Sequence, residues 1–508
     1  MTADDCVALA NGDYDARIVA IGKVVLAEDN SAKPFLQAML DDSVKFAGDK
    51  VFVIDASGNA TDPITGATVA LPADAEDVIN NNLMRSELEA GIAFLNLNDP
   101  DRAVRAAAID TLRDSDIDDS KSPLLEHAIA QEKDAELRDL LSRVLAGVQL
   151  LSTDKTKRLH AAQLLGESTN QNFKQMLSTR LADGGESDPE VRAAIQKSID
   201  SIDRKLRVYD IIGQIFTGIS LGSILLLAAL GLAITYGLMG VINMAHGEMM
   251  MLGAYSTFVV QNFFRTHFPG AFDAYIIAAI PVAFVVTGVV GMILERTVIR
   301  FLYGRPLETL LATWGISLML MQSVRSIFGA QNVLVENPAW LSGGVAVSAN
   351  LTLPYNRIAI IVFSAAVLLL MWLLLSKTRL GLFVRAVTQN RGMARCVGVN
   401  TASVDMRAFG LGSGIAGLAG VALSQVTNVG PDLGSNYIVD SFMVVVLGGV
   451  GQLAGAVYAA LGLGIISKFL EGVSGAVLAK IIVLVIIIVF IQKRPQGLFA
   501  LKGRSADA

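Results

Sequence analysis

GISLGSILLLAALGLAITYGLMGVINMAHGEMMMLGAY, residues 218–255, carries no Asp, Glu, Lys or Arg before Glu248 and reads as apolar helix interrupted by one polar run. A helix rises 1.5 Å per residue, so about 20 such residues cover a hydrocarbon core about 30 Å thick. Small residues at Gly218, Gly222, Ala228 and Gly231 allow helices to pack closely with no bulky side chain between them. Asn243, His246 and Glu248 break this pattern. An acid at the centre of a membrane helix costs roughly 2.5–3.5 kcal/mol, so these groups should face a cavity or a partner subunit. The alternative is that His246 and Glu248 cap a helix end at the membrane interface. His-Gly-Glu is not the His-Glu-x-x-His of zinc hydrolases, and no metal site is expected.

Outward from this stretch, apolar runs predict membrane segments near 211–236, 240–263, 275–295, 309–328, 357–376, 406–427, 440–457, 458–471 and 474–492, eight or nine in all. The Gly-rich run Leu447–Gln452 marks a short or re-entrant helix, which is tolerated only where it is buried in protein. Thr313, Ser317 and Gln322 are further polar groups inside an apolar span. They join Asn243, His246 and Glu248 as candidates for a substrate pathway, each with helix packing as the alternative role.

The charge balance changes sign near residue 207. Residues 1–207 hold 23 Lys and Arg against 36 Asp and Glu, whereas residues 208–508 hold 18 against 11. This is the asymmetry of an acidic soluble domain, 1–207, joined to a membrane domain, 208–508. In the first, Asp101–Leu112, Asp154–Leu165 and Asp188–Ile199 share an Asp at a helix start, an Arg one turn in and small or aliphatic residues at helical spacing. A weaker copy runs from Asp15 to Val24. These copies predict a HEAT-like α-solenoid. Residues 48–72 interrupt it with alternating apolar and turn residues, including Gly58-Asn59, and predict a small β-hairpin. The fold class expected is therefore all-α, a helical-repeat domain with a β insertion followed by a polytopic helical membrane domain. His127 and His160 read as structural histidines. Cys6 and Cys396 lie in different halves, and no disulfide is expected between them.

Basic residues collect at Arg296, Arg300 and Arg305, at Lys377, Arg379, Arg385, Arg391 and Arg395, and at Lys493, Arg494, Lys502 and Arg504. The positive-inside rule makes these three loops cytoplasmic and the head external. An exported head needs a signal that Met1–Asp5 does not supply, so a signal peptide is expected to have been removed or to lie upstream. In the middle basic loop, Phe383, Val384, Val387 and Ala394 predict the apolar side of a short amphipathic helix, with Arg385, Gln389 and Asn390 elsewhere. Such a helix suits either docking in a cytoplasmic protein or lying on lipid.

GISLGSILLLAALGLAITYGLMGVINMAHGEMMMLGAY, RPLETLLATWGISLMLMQSVRSIFG (305–329), TRLGLFVRAVTQNRGMARCVGVN (378–400), GSGIAGLAGVALS (412–424) and RPQGLF (494–499) together resemble the LivH-like permease subunits of ABC importers for branched-chain amino acids. The resemblance covers nearly all of residues 210–500. Within that class, an external helical head of about this size before the permease resembles the UrtB-type subunits of urea importers. The resemblance implies a bacterial inner membrane location, a second homologous permease subunit, two cytoplasmic ATPase subunits, a periplasmic substrate-binding protein and contact with membrane lipid. It implies no cofactor, no nucleic-acid partner and no catalytic residue in this chain, whose sequence holds no Gly-x-x-x-x-Gly-Lys-Ser/Thr loop. It also makes 383–400 the ATPase-coupling segment, with Gly381, Arg385, Ala386, Gln389, Asn390 and Gly398 in the coupling loop. Competing readings are a permease for branched-chain amino acids or short amides, and a passive channel with a sensory head.

Protease added outside spheroplasts should cut the head and spare residues 493–508. Cleavage of the C-terminus with protection of the head would reverse the topology.

Overall fold

The computed structural model describes residues 1–499 apart from 28, 56, 57, 116, 118, 183, 184, 349 and 350. Lys502 and Arg504 lie outside the described residues. The chain divides into two compact units, Met1–Leu206 and Arg207–Ala508, and is predominantly helical.

In the first unit the Asp-start motif has a common geometry. Asp101, Asp134, Asp154 and Asp188 each stand at a helix start, and their carboxylates accept backbone N–H groups of Ala103, Glu136, Thr156 and Glu190 at 2.8–2.9 Å. A cap of this kind is worth about 1 kcal/mol. Four residues after each cap an arginine reaches back to a carbonyl before it: Arg105 to Asp99, Arg138 to Glu132, Arg158 to Ser152 and Arg192 to Glu186, at 2.9–3.0 Å. The Asp134 copy, with Asp139, Leu140 and Leu141 after its arginine, is not among the copies predicted from sequence. With it in place, the irregular spacing of the other copies becomes an alternation of long and short steps. The weak copy also shifts. Asp13, not Asp15, is the cap, and its Arg17 donates to the Leu9 carbonyl at 2.8 Å.

Two buried carboxylates join successive copies. Glu132 receives Arg105 through two N–H groups at 2.8 and 3.2 Å, and Glu186 receives Arg158 in the same way at 2.8 and 3.3 Å. Burial pushes the Glu186 carboxyl up, yet the Asp188 N–H and Arg158 more than offset it, leaving the group below the ordinary carboxylate range. Paired and hydrogen-bonded on both oxygens, these carboxylates escape the cost of a bare buried charge.

The β insertion is larger than a hairpin. Five short antiparallel strands take the order Thr68–Val69, Ala60–Thr61, Lys50–Ile54, Val44–Ala47, Glu76–Asp77. The first strand lies before residue 48, outside the predicted hairpin, and the chain turns at Gly48 with φ +58°.

Among the described residues seven helices are long and apolar enough to cross a membrane, and six lie wholly within the stretch from Pro269 to Lys493. The other two expected segments are realised differently. His246–His267 is a 22-residue helix largely buried among its neighbours, and Leu433–Gly448 is a 16-residue apolar helix. The expected 440–457 and 458–471 spans are corrected to Leu433–Gly448 and Leu453–Ser474, separated by Gly449 and Gly451 at φ +97° and +79°. Only glycine adopts such angles without strain, and the chain reverses there.

Helix Thr401–Ser424 is the most enclosed of the spanning helices. It packs on Pro189–Met239, Tyr275–Thr297 and His246–His267 through glycines. A Cβ at Gly253 would overlap the Gly417 carbonyl, one at Gly231 the Gly412 carbonyl, and one at Gly420 the Met250 carbonyl. Lipid offers no hydrophobic drive for helices to associate, so close backbone packing has to supply the attraction.

Gly420→Val should therefore destabilise the detergent-purified protein by about 1–3 kcal/mol or more through overpacking. Gly462, where an added Cβ meets nothing within 4 Å, should tolerate valine. Equal melting temperatures for both variants would contradict this packing.

Candidate functional site

The polar run of the opening stretch forms a bend. Helix Pro189–Met239 stops, residues 240–245 are not helical, and a new helix starts at His246. The span expected at 240–263 is thus corrected, and its polar residues occupy the junction. Asn243 Oδ1 accepts the Ala245 N–H at 3.1 Å, so the asparagine closes its own turn. The Met244 N–H donates to Thr313 Oγ1 at 3.1 Å, which ties the bend to helix Pro306–Phe328.

His246 and Glu248 occupy the first turn of the new helix and are 0% and 1% exposed. Neither acts as a side-chain cap, which corrects the capping alternative. His246 Nε2 lies 3.0 Å from the Ala228 carbonyl. A carbonyl only accepts, so Nε2 carries the proton and Nδ1 is left as an acceptor. Gly231 makes room for this ring, since a Cβ there would stand 2.9 Å from its Cε1. Glu248 Oε1 accepts the Ser317 hydroxyl at 2.9 Å. The positive end of the helix dipole lies at this first turn and favours a carboxylate there.

Three side-chain atoms of the bend have no hydrogen-bond partner among the described residues: Asn243 Nδ2, His246 Nδ1 and Glu248 Oε2. One donor and two acceptors, all on residues at most 2% exposed, fall within six residues. Buried polar groups are seldom left this way, and such clusters mark function when they occur. Thr313 and Ser317 join the cluster through their hydroxyls. Gln322 does not. It is exposed, more than a turn further along the same helix, because a polar residue in an apolar run shows no direction from sequence alone. Among the described residues no group of three or more His, Cys, Asp or Glu side chains could hold a metal ion.

The second candidate region is two helices rather than the single 383–400 helix expected. Arg379–Gln389 ends at Asn390, whose side chain then caps Arg391–Cys396 by accepting the Met393 N–H at 2.8 Å. Gly381 is buried where a Cβ would overlap the Leu375 carbonyl, and Gly398 turns the chain at φ +88°. Val387 and Ala394 pack on Val404, but Phe383 is exposed, contrary to the predicted apolar side. Arg385 and Gln389 are exposed and Ala386 half-buried. With Phe383, the exposed Leu382, Met393 and Val397 give this segment an apolar outer surface.

Two polar clusters escaped the sequence reading. Asp405 lies one residue before the expected 406–427 span and is buried with Glu295. Gln425, inside that span, donates to the Tyr275 hydroxyl at 3.2 Å, and Tyr275 in turn donates to the Glu336 carbonyl at 2.5 Å. An acid adjoining an apolar run was the available signal for the first, and a glutamine within one for the second.

A model of the family described as branched-chain amino acid transport system / permease component matches residues 214–491. The chain belongs to this family. Among its relatives, the high-affinity branched-chain amino acid transport system permease protein BraD of Pseudomonas aeruginosa is 28% identical over 297 residues, 57% of this chain and 96% of the relative. The corresponding LivH protein of Salmonella typhimurium is 29% identical over 291 residues, 56% of this chain and 94% of its own. The ribose import permease protein RbsC of Escherichia coli is 26% identical over 224 residues, 42% of this chain and 61% of its own. No solved structure matches the permease. The polar bend and the split basic segment both fall inside the matched region, and the helical-repeat unit falls outside it.

Proposed function

We propose that this permease subunit of an ABC importer passes a small neutral amide, urea first among them, through the bend at Asn243–Glu248. The observation that carries the reading is the unpartnered set of Asn243 Nδ2, His246 Nδ1 and Glu248 Oε2. Urea presents N–H donors on both nitrogens and one carbonyl acceptor. Glu248 Oε2 and His246 Nδ1 supply acceptors for the first, and Asn243 Nδ2 supplies a donor for the second. No Lys or Arg hydrogen-bonds any of the three residues among the described residues. A substrate carboxylate would find no Lys or Arg partner in this set among the described residues, which favours a neutral solute over an amino acid.

ATP hydrolysis belongs, on this reading, to separate ATPase subunits that dock on the apolar outer surface of 379–398. Their closure moves the helices as rigid bodies and alternates the access of the bend between the two sides. A second permease subunit and an external binding protein complete the importer, with the basic loops cytoplasmic and the head outside. The second reading, a branched-chain amino acid permease, is favoured by the relatives' names and by the length over which they match.

Uptake of radiolabelled urea and leucine into vesicles bearing the full complex, normalised to assembled protein, separates the two. Urea uptake with Glu248→Gln near wild type and Glu248→Ala reduced about tenfold is the expected result, because a neutral solute needs the acceptor more than the charge. Leucine uptake without urea uptake overturns the substrate. Equal uptake in all three forms removes Glu248 from the pathway.

A further inference from the structure

One side chain of the second basic segment reaches three helices of the membrane bundle at once. Arg391, the first residue of helix Arg391–Cys396, forms an ion pair with Asp405 and lies over the ring of Tyr303 with its guanidinium carbon 4.9 Å from the centroid. Tyr303 donates its hydroxyl to Glu295 Oε1 at 2.7 Å and lies 3.2 Å from Met239 Sδ. Asp405 belongs to helix Thr401–Ser424, Glu295 to helix Tyr275–Thr297, and Met239 is the last residue of helix Pro189–Met239. One guanidinium therefore gathers the ends of three long helices, directly through Asp405 and through Tyr303 to the other two. Both carboxylates are 2% exposed, whereas Arg391 is partly exposed.

A second bond runs beside it, from Arg395 Nε to Thr401 Oγ1 at 3.0 Å. It reaches only helix Thr401–Ser424, to which Arg395 is already close in sequence. Ala394 of this short helix also packs in a small apolar cluster with Val387 and Val404. Such a cluster can slide, whereas a guanidinium held in a buried carboxylate and stacked on a ring has one arrangement. A planar guanidinium pairs and stacks at once, which an ammonium does not do. Asp405 keeps its other oxygen, Oδ1, buried and without a partner. Arg391 is the cation hydrogen-bonded to Asp405, and its removal takes away the pair and the stack together.

We infer that Arg391 is the positioning residue through which displacement of the 379–398 segment is passed to the three helices. The inference rests on the reading of that segment as the ATPase-docking surface. Tyr303 relays the pull to the helices that end at Met239 and Thr297, and Asp405 receives it on the central helix. Removing Arg391 leaves the docking surface present but mechanically separated from the bundle.

Cys396 supplies a readout in the chain by itself, since it is exposed at the end of the same short helix while Cys6 is buried. Arg391→Ala should raise the rate at which Cys396 reacts with a water-soluble maleimide several-fold, and Arg391→Lys should fall between it and wild type. In the reconstituted complex, Arg391→Ala should lower substrate transported per ATP hydrolysed about tenfold, a size typical of mutations that interrupt coupling between sites. Arg391→Lys should restore part of that ratio. Should Arg391→Ala fail to accumulate as folded protein, Tyr303→Leu, which removes the stack and the relay to Glu295, replaces it in both measurements. Unchanged Cys396 reactivity overturns the inference, and so does faster reactivity with an unchanged transport-to-hydrolysis ratio. A wild-type chain that never recruits ATPase subunits defeats the docking reading instead, and shows it by the absence of hydrolysis in every form.

Discussion

Backbone contact at glycine positions around helix Thr401–Ser424 is the constraint from which the rest of the membrane unit follows. Gly253 meets Gly417, Gly231 meets Gly412, and Gly420 meets the Met250 carbonyl, so three helices share one seam with almost no side-chain volume in it. That seam brings helix His246–His267 deep into the bundle and with it the polar turn at its start. It also leaves space for the His246 ring beside Gly231, where its Nε2 reaches the Ala228 carbonyl. Bulkier residues would separate the helices and open the bend to lipid, where its unpartnered groups would cost several kcal/mol each.

The seam also links the two ends of the unit. Asp405 at one end of helix Thr401–Ser424 holds Arg391, while Gln425, just past the other end, joins Tyr275, which holds the Glu336 carbonyl. Between them the helix is tightly packed, since eight of the residues from Gly410 through Ala422 are glycine or alanine with neighbours fitted closely against them. A rod of this kind moves as a unit, and a push at one end arrives at the other. Close packing transmits displacement because its interior does not compress.

Sequence showed the spans wherever a helix faces outward with an unbroken apolar run, as at Tyr355–Lys377 and Ala476–Lys493. It misjudged the bounds of His246–His267 and Leu433–Gly448. His246–His267 can start with Asn243, His246 and Glu248 nearby only because other helices satisfy or enclose them, and no local pattern encodes that enclosure. The split of the basic segment at Asn390 was legible in principle, because asparagine is a good helix cap, but apolar periodicity across it imitates one helix. Gln322 was grouped with Thr313 and Ser317 by composition, and the direction of its side chain separated it. In the head, the Asp-and-Arg starts were plain in sequence, whereas the buried Glu132 and Glu186 were not, since a charged residue reads as surface until its arginine is located.

Water access to the bend is the most direct measure of whether it is a pathway. A cysteine placed by Asn243→Cys, in a chain with Cys6 and Cys396 replaced by serine, can be followed by its reaction with a small water-soluble thiol reagent in the assembled importer. A pathway predicts reaction during ATP-driven cycling and slowing of that reaction by saturating urea. A cysteine that stays unreactive at rest and during cycling, with or without urea, would contradict a substrate route through Asn243–Glu248.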